Sequence, residues 1–196
     1  MSKAQELITK LDEGKVLTHI EGSPGAGKTT LMNKLRKDFP QFVFADLDWF
    51  RNAAVNSMPK IKSKLTSDQL TERLKEISKR SQEELDKWLK KQSKPAVLFG
   101  LGGNFTMDIT DPSGKIILST SPLKSAYRNY KRQKNWEKEA GYPPGSITDR
   151  VEKFIRDVLY DVSFRKYAKR DLGYKPIKPK RVKSHLKEIS RRVSNE

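Results

Sequence analysis

The stretch with the clearest chemistry is Gly22-Ser23-Pro24-Gly25-Ala26-Gly27-Lys28-Thr29-Thr30. It fits the spacing G-x-x-x-x-G-K-[S/T], with an apolar run, Val16-Leu17-Thr18-His19-Ile20, before it and a helix-like stretch from Leu31 after it. Strand, glycine-rich turn and helix start are the context this spacing needs. Glycines let the turn close so that successive N–H groups point inward, and the following helix adds the positive end of its dipole. Phosphate is the natural occupant. A lysine at Lys28 would reach the β- and γ-phosphates of a nucleotide, the Thr29 hydroxyl would take one position on Mg²⁺, and Thr30 would support the helix start.

A second pair of groups follows the next predicted strand, Phe42-Val43-Phe44-Ala45, which runs into Asp46-Leu47-Asp48. A near-continuous apolar run suits a parallel strand covered on both faces, and ligands of such sheets gather at the carboxyl ends of the strands. Two residues apart on extended backbone, Asp46 and Asp48 would point the same way, toward a metal and an acceptor hydroxyl. A helix-capping or turn-forming aspartate is the alternative for either. A third group is basic: after Ser121-Pro122, a helix start with Pro at its first position, come Lys124, Arg128, Lys131, Arg132 and Lys134, with no acid before Glu137. Arg128 and Arg132 share one helix face. Planar, always-charged guanidinium suits phosphate oxygens; a solvated basic face or a nucleic-acid patch is the alternative.

The loop resembles that of the P-loop nucleoside triphosphatase superfamily, and the loop followed by Asp-x-Asp after strand 2 resembles the shikimate-kinase and nucleoside-monophosphate-kinase group. The resemblance implies an α/β fold of three layers, with a parallel sheet of about five strands in the order 2-3-1-4-5 and helical lid insertions. It implies ATP, or GTP, with Mg²⁺, and transfer of a phosphoryl group to a nucleotide, nucleoside or similar small acceptor. On it, Asp46 lies near the metal, Asp48 binds the acceptor, Arg51 is placed to anchor substrate, and 122–140 is an arginine-bearing lid helix. Gly102 and Gly103, in Gly100-Leu101-Gly102-Gly103, resemble the glycine-rich end of strand 3 in shikimate kinase. Strand 3 here carries no aspartate, so the acidic metal partner common at that place is missing and the burden falls on Asp46.

The rest of the chain must position these groups. A domain over 1–178 would hold the chemistry, with a substrate-binding insertion at 49–92 and a basic helix or tail at 179–196. Ser2 to Gly14 reads as a short capped helix. Thr66 and Gln69 form a capping box before a helix to about Gln92, with Leu70, Leu74, Ile77, Leu85 and Trp88 on its inner face; Ala53 to Lys64 reads as loop and helix fragment. Trp49, Phe50, Arg73 and Arg80 are candidates for touching an acceptor, though Trp and Phe are more often core. Ala96 to Phe99 is strand 3 and Ile116 to Ser119 strand 4, joined by an irregular link or by a hairpin through Phe105 to Ile109. Gly141 to Gly145 is a hinge-like loop. From Ser146 a helix runs to about Lys169, with Val151, Phe154, Ile155, Val158, Leu159 and Val162 inward. A short fifth strand at 173–177 and a basic helix over 178–193 complete the reading. His19 is expected to be packed and His185 exposed.

Bulk properties bound the class. The 196 residues suit one domain, and 35% hydrophobic with 33% charged residues describes a compact core with a charged periphery. Lys and Arg number 41 against 24 acids, a formal net charge of +17, which favours phosphate-bearing partners, nucleic acid among them. The excess concentrates toward the end: Arg165 to Glu196 holds twelve Lys or Arg and three acids. No run approaches the roughly 20 apolar residues of a membrane span, so a soluble, cytoplasmic protein is expected. The absence of cysteine removes disulfides and thiolate chemistry. A polynucleotide 5′-hydroxyl kinase and a non-enzymatic, nucleotide-gated nucleic-acid-binding factor are the alternatives to a small-molecule kinase.

Overall fold

The computed structural model describes residues 15–60, 65–100, 114–139 and 146–193. Five strands, β1 (Val16–Glu21), β2 (Val43–Asp46), β3 (Ala96–Phe99), β4 (Gly114–Leu118) and β5 (Lys175–Ile177), form one sheet in the order β2-β3-β1-β4-β5. Every neighbouring pair is parallel. The described helices are α1 (Lys28–Asp38), α2 (Leu47–Asn56), α3 (Ser67–Leu89), α4 (Pro122–Glu139), α5 (Ile147–Asp171) and α6 (Pro179–Val193). The expected α/β class and strand order are both present.

Alternation along the central strands divides the core between the two faces of the sheet. Val97, Phe99, Ile116 and Leu118 pack with Met32 and Leu35 of α1 and with Val182, Leu186 and Ile189 of α6. Ala96 and Leu98 face the other way, with Leu47 and Phe50 of α2 and Leu85 of α3, while Ile117 meets Phe164 and Ala168 of α5. Each fully buried Leu, Ile or Phe contributes about 1.5–3 kcal/mol by leaving water, which is why continuous apolar strands take the centre of a doubly covered sheet. The α6 helix is amphipathic in the way its spacing predicts: Val182, Leu186 and Ile189 are buried and its bases point out, with Lys183 3.1 Å from Asp38 of α1.

Several expected boundaries and faces are corrected. Helix α2 begins at Leu47, directly after β2, so 53–56 is helix rather than loop. Leu70 and Leu74 of α3 are exposed; its buried residues are Ile77, Ser81 and Leu85, because the helix packs by its second half only. Val151, Ile155, Leu159 and Val162 of α5 are also exposed, at 52%, 51%, 62% and 37%, against the inward stripe expected for them. The buried residues of α5 are instead Asp161, Phe164 and Ala168, and Phe154 and Val158 are half-buried. His185 is half-buried, its Nε2 near Gly114, rather than a surface residue. The helix expected at 2–14, the hairpin at 105–109 and the loop at 141–145 lie outside the described residues.

Candidate functional site

Parallel pairing brings the carboxyl ends of β1, β2 and β3 to one edge, where Ile20 and Asp46 both register with Phe99. The glycine-rich loop leaves β1 at this edge and turns directly into α1. Within it the Ala26 N–H donates to the Ser23 carbonyl at 3.0 Å. Gly27 is the N-cap of α1 at φ 89°, in the left-handed region that glycine alone enters without penalty. No side chain caps this helix and no acid sits in its first turn. The first-turn N–H groups, which have no intrahelical partner, are therefore left without a side-chain cap.

Lys28 folds back along the loop. Its Nζ donates to the Gly22 carbonyl at 2.5 Å and to the Ser23 carbonyl at 3.4 Å. Burial lowers its pKa; the charges of Asp46, Asp48 and Glu21 oppose that shift, and Arg132 adds to it. One ammonium thus feels the charge of three carboxylates and a guanidinium drawn from three segments of the chain. Thr29 and Thr30 are exposed at the start of α1.

The two aspartates do not share the extended geometry expected of them. Asp46 is the N-cap of α2, and its Oδ1 accepts the Asp48 N–H at 3.1 Å, so the chain is already helical at Asp48. Capping wins because it satisfies one of the orphan donors of a helix that starts immediately after the strand. Both residues nevertheless stay at the site. Asp46 is buried, and burial, with the Asp48 charge adding, raises its pKa while the capping bond and Lys28 oppose the rise. Asp48 is exposed and lines a cavity of about 300 Å³ together with residues 24–30, Arg128 and Arg132. Gly100 lets this corner close: a Cβ there would lie 2.9 Å from Leu47 Cβ and 3.3 Å from Asp46 Oδ1. The close backbone approach at Gly100 thus serves α2; Gly102 and Gly103 lie outside the described residues. Among the described residues no group of three or more His, Asp or Glu side chains could by itself hold a metal.

Arg128 and Arg132 reach the same cavity from α4. An Arg128 guanidinium nitrogen lies 3.8 Å from where a Cβ on Gly27 would stand, and Arg132 donates to Asn129 Oδ1 at 3.0 Å. The first turn of α4 sits on the loop itself. A Cβ on Gly25, at φ 81°, would fall 2.2 Å from the Ser125 carbonyl oxygen, so only glycine fits under that turn.

What holds α4 there was not evident from the sequence. Arg165 of α5 donates to both oxygens of the buried Asp161, at 2.7 and 2.6 Å, and to the Thr120 hydroxyl at 3.1 Å and the Thr120 carbonyl. Thr120 Oγ1 in turn bonds Ser125 Oγ at 2.8 Å. The only sequence signal was an Asp and an Arg four residues apart, a spacing common on solvated helices. A second missed cluster lies under β1: His19 Nδ1 bonds Tyr174 Oη at 2.6 Å, His19 Nε2 bonds the Gly100 carbonyl at 3.2 Å, and Tyr174 Oη lies 3.3 Å from Glu21 Oε1. Glu21 is fully buried directly before the loop.

Other candidates are placed elsewhere. Phe50 is core, and Trp49 is 46% exposed with the Arg36 guanidinium 5.2 Å from its ring centroid. Arg73 donates to the Pro59 carbonyl, and Arg80 to Glu76 and the Ser57 hydroxyl, so both tie α3 to its surroundings. Arg51 is half-buried on α2.

No family model matches the chain, and no curated protein matches it. Among solved structures it is similar to one described as the crystal structure of APE1195, with 18% identity and a TM-score of 0.40 over 66% of this chain and 73% of that one. No helix among the described residues is long and apolar enough to cross a membrane.

Proposed function

We propose that the protein is an ATP-dependent phosphotransferase of P-loop kinase type, moving the γ-phosphoryl group to a nucleotide, nucleoside or similar small acceptor. The observation that carries this reading is the convergence on one cavity of an uncapped helix start, Lys28, Asp48, Arg128 and Arg132. The loop N–H groups and Lys28 would hold the β- and γ-phosphates, and the arginines would neutralise charge on the transferring group. The acceptor hydroxyl oxygen attacks the γ-phosphorus, the bond to the β–γ bridging oxygen breaks, the nucleoside diphosphate leaves, and the hydroxyl proton passes to Asp48. GTP would fit the same loop.

The donor set also suits Mg²⁺, a hard cation that keeps several waters and takes few protein ligands. Asp46 has one carboxylate oxygen engaged in capping and the other available, and Thr29 Oγ1 is exposed at the helix start. When bound, the metal would neutralise charge on the phosphates; Thr29 and Asp46 would hold it.

The basic surface supports a second reading, in which the acceptor is the 5′-hydroxyl of a polynucleotide. Exposed bases on α4 and α6, within a chain of net charge +17, would hold a strand electrostatically. Labelled ATP offered with nucleosides, nucleoside monophosphates and 5′-hydroxyl oligonucleotides tests both. Transfer to one class, abolished by Lys28→Ala, is the expected result. Absence of Mg·ATP binding by calorimetry would overturn the proposal.

A further inference from the structure

The helix that carries Arg128 and Arg132 toward the loop presents a second set of side chains to α5. There Tyr130 and Lys134 of α4 meet Arg150, Phe154 and Arg156 of α5 around a separate cleft of about 260 Å³. The charges in it are unevenly employed. Its two carboxylates are engaged: Asp149 Oδ2 accepts from the Ser146 hydroxyl at 2.7 Å, and Asp157 Oδ2 accepts from Asn129 Nδ2 at 2.8 Å. Among the described residues the side chains of Lys134, Arg150 and Arg156 make no hydrogen bond or ion pair.

Gathered cations repel one another, and a bound anion relieves that repulsion. Guanidinium groups match phosphate oxygens in pairs, and aromatic side chains offer faces on which a base can stack. The volume falls just below the roughly 300 Å³ at which ligand pockets usually begin, which suits one nucleotide rather than a dinucleotide. We infer that the α4–α5 cleft binds a nucleoside monophosphate unit, free or as one residue of a single strand, with its base against Tyr130 and Phe154 and its phosphate on Arg150, Arg156 and Lys134. This site is distinct from the loop cavity and does not need Lys28.

Fluorescence titration of the full chain with N-methylanthraniloyl-AMP, and separately with 3′-labelled dT4, tests the inference. Saturable one-site binding is expected, unchanged within twofold in Lys28→Ala. Arg150→Glu should weaken it at least tenfold, and Lys187→Glu, an equal charge change on α6, by less than twofold. Tyr130→Leu should weaken the nucleotide about fivefold while leaving competition by inorganic phosphate as it was. Preference for the mononucleotide identifies a free ligand; preference for dT4 identifies a strand. If Arg150→Glu fails to fold by circular dichroism, Tyr130→Leu and Arg156→Gln carry the test. Absence of binding, loss of it in Lys28→Ala, or equal weakening by Lys187→Glu would overturn the inference, the last by showing diffuse attraction.

Discussion

His19 Nδ1 and Tyr174 Oη lie 2.6 Å apart, a bond between residues 155 positions apart in the chain. Its polarity can be assigned. The Gly100 carbonyl can only accept, so the neutral ring carries its proton on Nε2, and Nδ1 at 2.6 Å and Glu21 Oε1 at 3.3 Å are both left as acceptors for the one Tyr174 hydroxyl proton. Burial, with Glu21 adding, pushes the Tyr174 pKa up, so the phenol keeps its proton. Tyr174→Phe leaves a buried ring nitrogen without its donor and should cost about 1–3 kcal/mol in urea unfolding. A cost below about 0.5 kcal/mol would show that the bond contributes nothing net.

The same ring gives the fold a pH dependence. Burial lowers the His19 pKa from 6.5 to about 4, with Lys115 and Lys28 adding to the shift and the bond to Gly100 opposing it. Between those values the unfolded chain takes up a proton that the folded chain does not, so stability is full above about pH 6.5 and falls as the pH drops toward 4. The loss from this group is about 3 kcal/mol. His19→Asn should flatten that segment of the stability curve relative to the parent.

Gly25 and Gly173 both have positive φ, 81° and 71°, but differ in their surroundings. An added Cβ would run into the Ser125 carbonyl at Gly25 and meet nothing within 4 Å at Gly173. Gly173→Ala should cost only about 1 kcal/mol of backbone strain. Gly25→Ala should cost about 3 kcal/mol or displace α4, and should weaken Mg·ATP binding as Gly173→Ala does not. Calorimetry on the two variants side by side separates these effects.

Arg165 and Asp161 form a pair in which the carboxylate is 1% exposed and the guanidinium 19%. Removing the cation leaves the Asp161 charge buried alone, so Arg165→Ala should lower stability by about 3 kcal/mol. Replacing both, as Asp161→Leu with Arg165→Met, should recover most of that loss by thermal melting, yet leave α4 less well held and transfer activity reduced.

At the candidate site, Lys28→Ala should leave the circular dichroism spectrum unchanged and reduce phosphoryl transfer at least about a hundredfold, the scale of losing one preorganised charge at a transferring group. Asp48→Asn should lower transfer with little change in Mg·ATP affinity. Asp46→Asn should weaken the Mg²⁺ dependence instead. Single-turnover assays across a Mg²⁺ series distinguish the two.

Much of this arrangement was legible in the residues because it rests on local rules. Continuous apolar runs marked all four longer strands, the glycine spacing with Lys28 marked the turn into α1, and Thr66 with Gln69 marked the start of α3, where both capping-box bonds form. The geometry of Asp46 and Asp48 was not legible, because alternation assumes extended backbone as far as Asp48 and the strand ends at Asp46, which caps the helix instead. The outward stripe of α5 was misread for a related reason: apolar spacing shows that a helix has a face, not that anything lies against it. The bonds of Arg165 to Thr120 and of Tyr174 to His19 span 45 and 155 residues, and no pattern within a short window encodes such pairings.

The placement of Tyr174, Val182, Leu186 and Ile189 bears on how the protein is made. Val182, Leu186 and Ile189 finish the cluster that also holds Met32 and Leu35, while Tyr174 covers His19 at the root of the glycine turn. A nascent chain that has emerged only as far as Gly173 lacks all four. On the ribosome, then, the packing behind the turn that begins at Gly22 is complete only once more than 160 further residues have been synthesised.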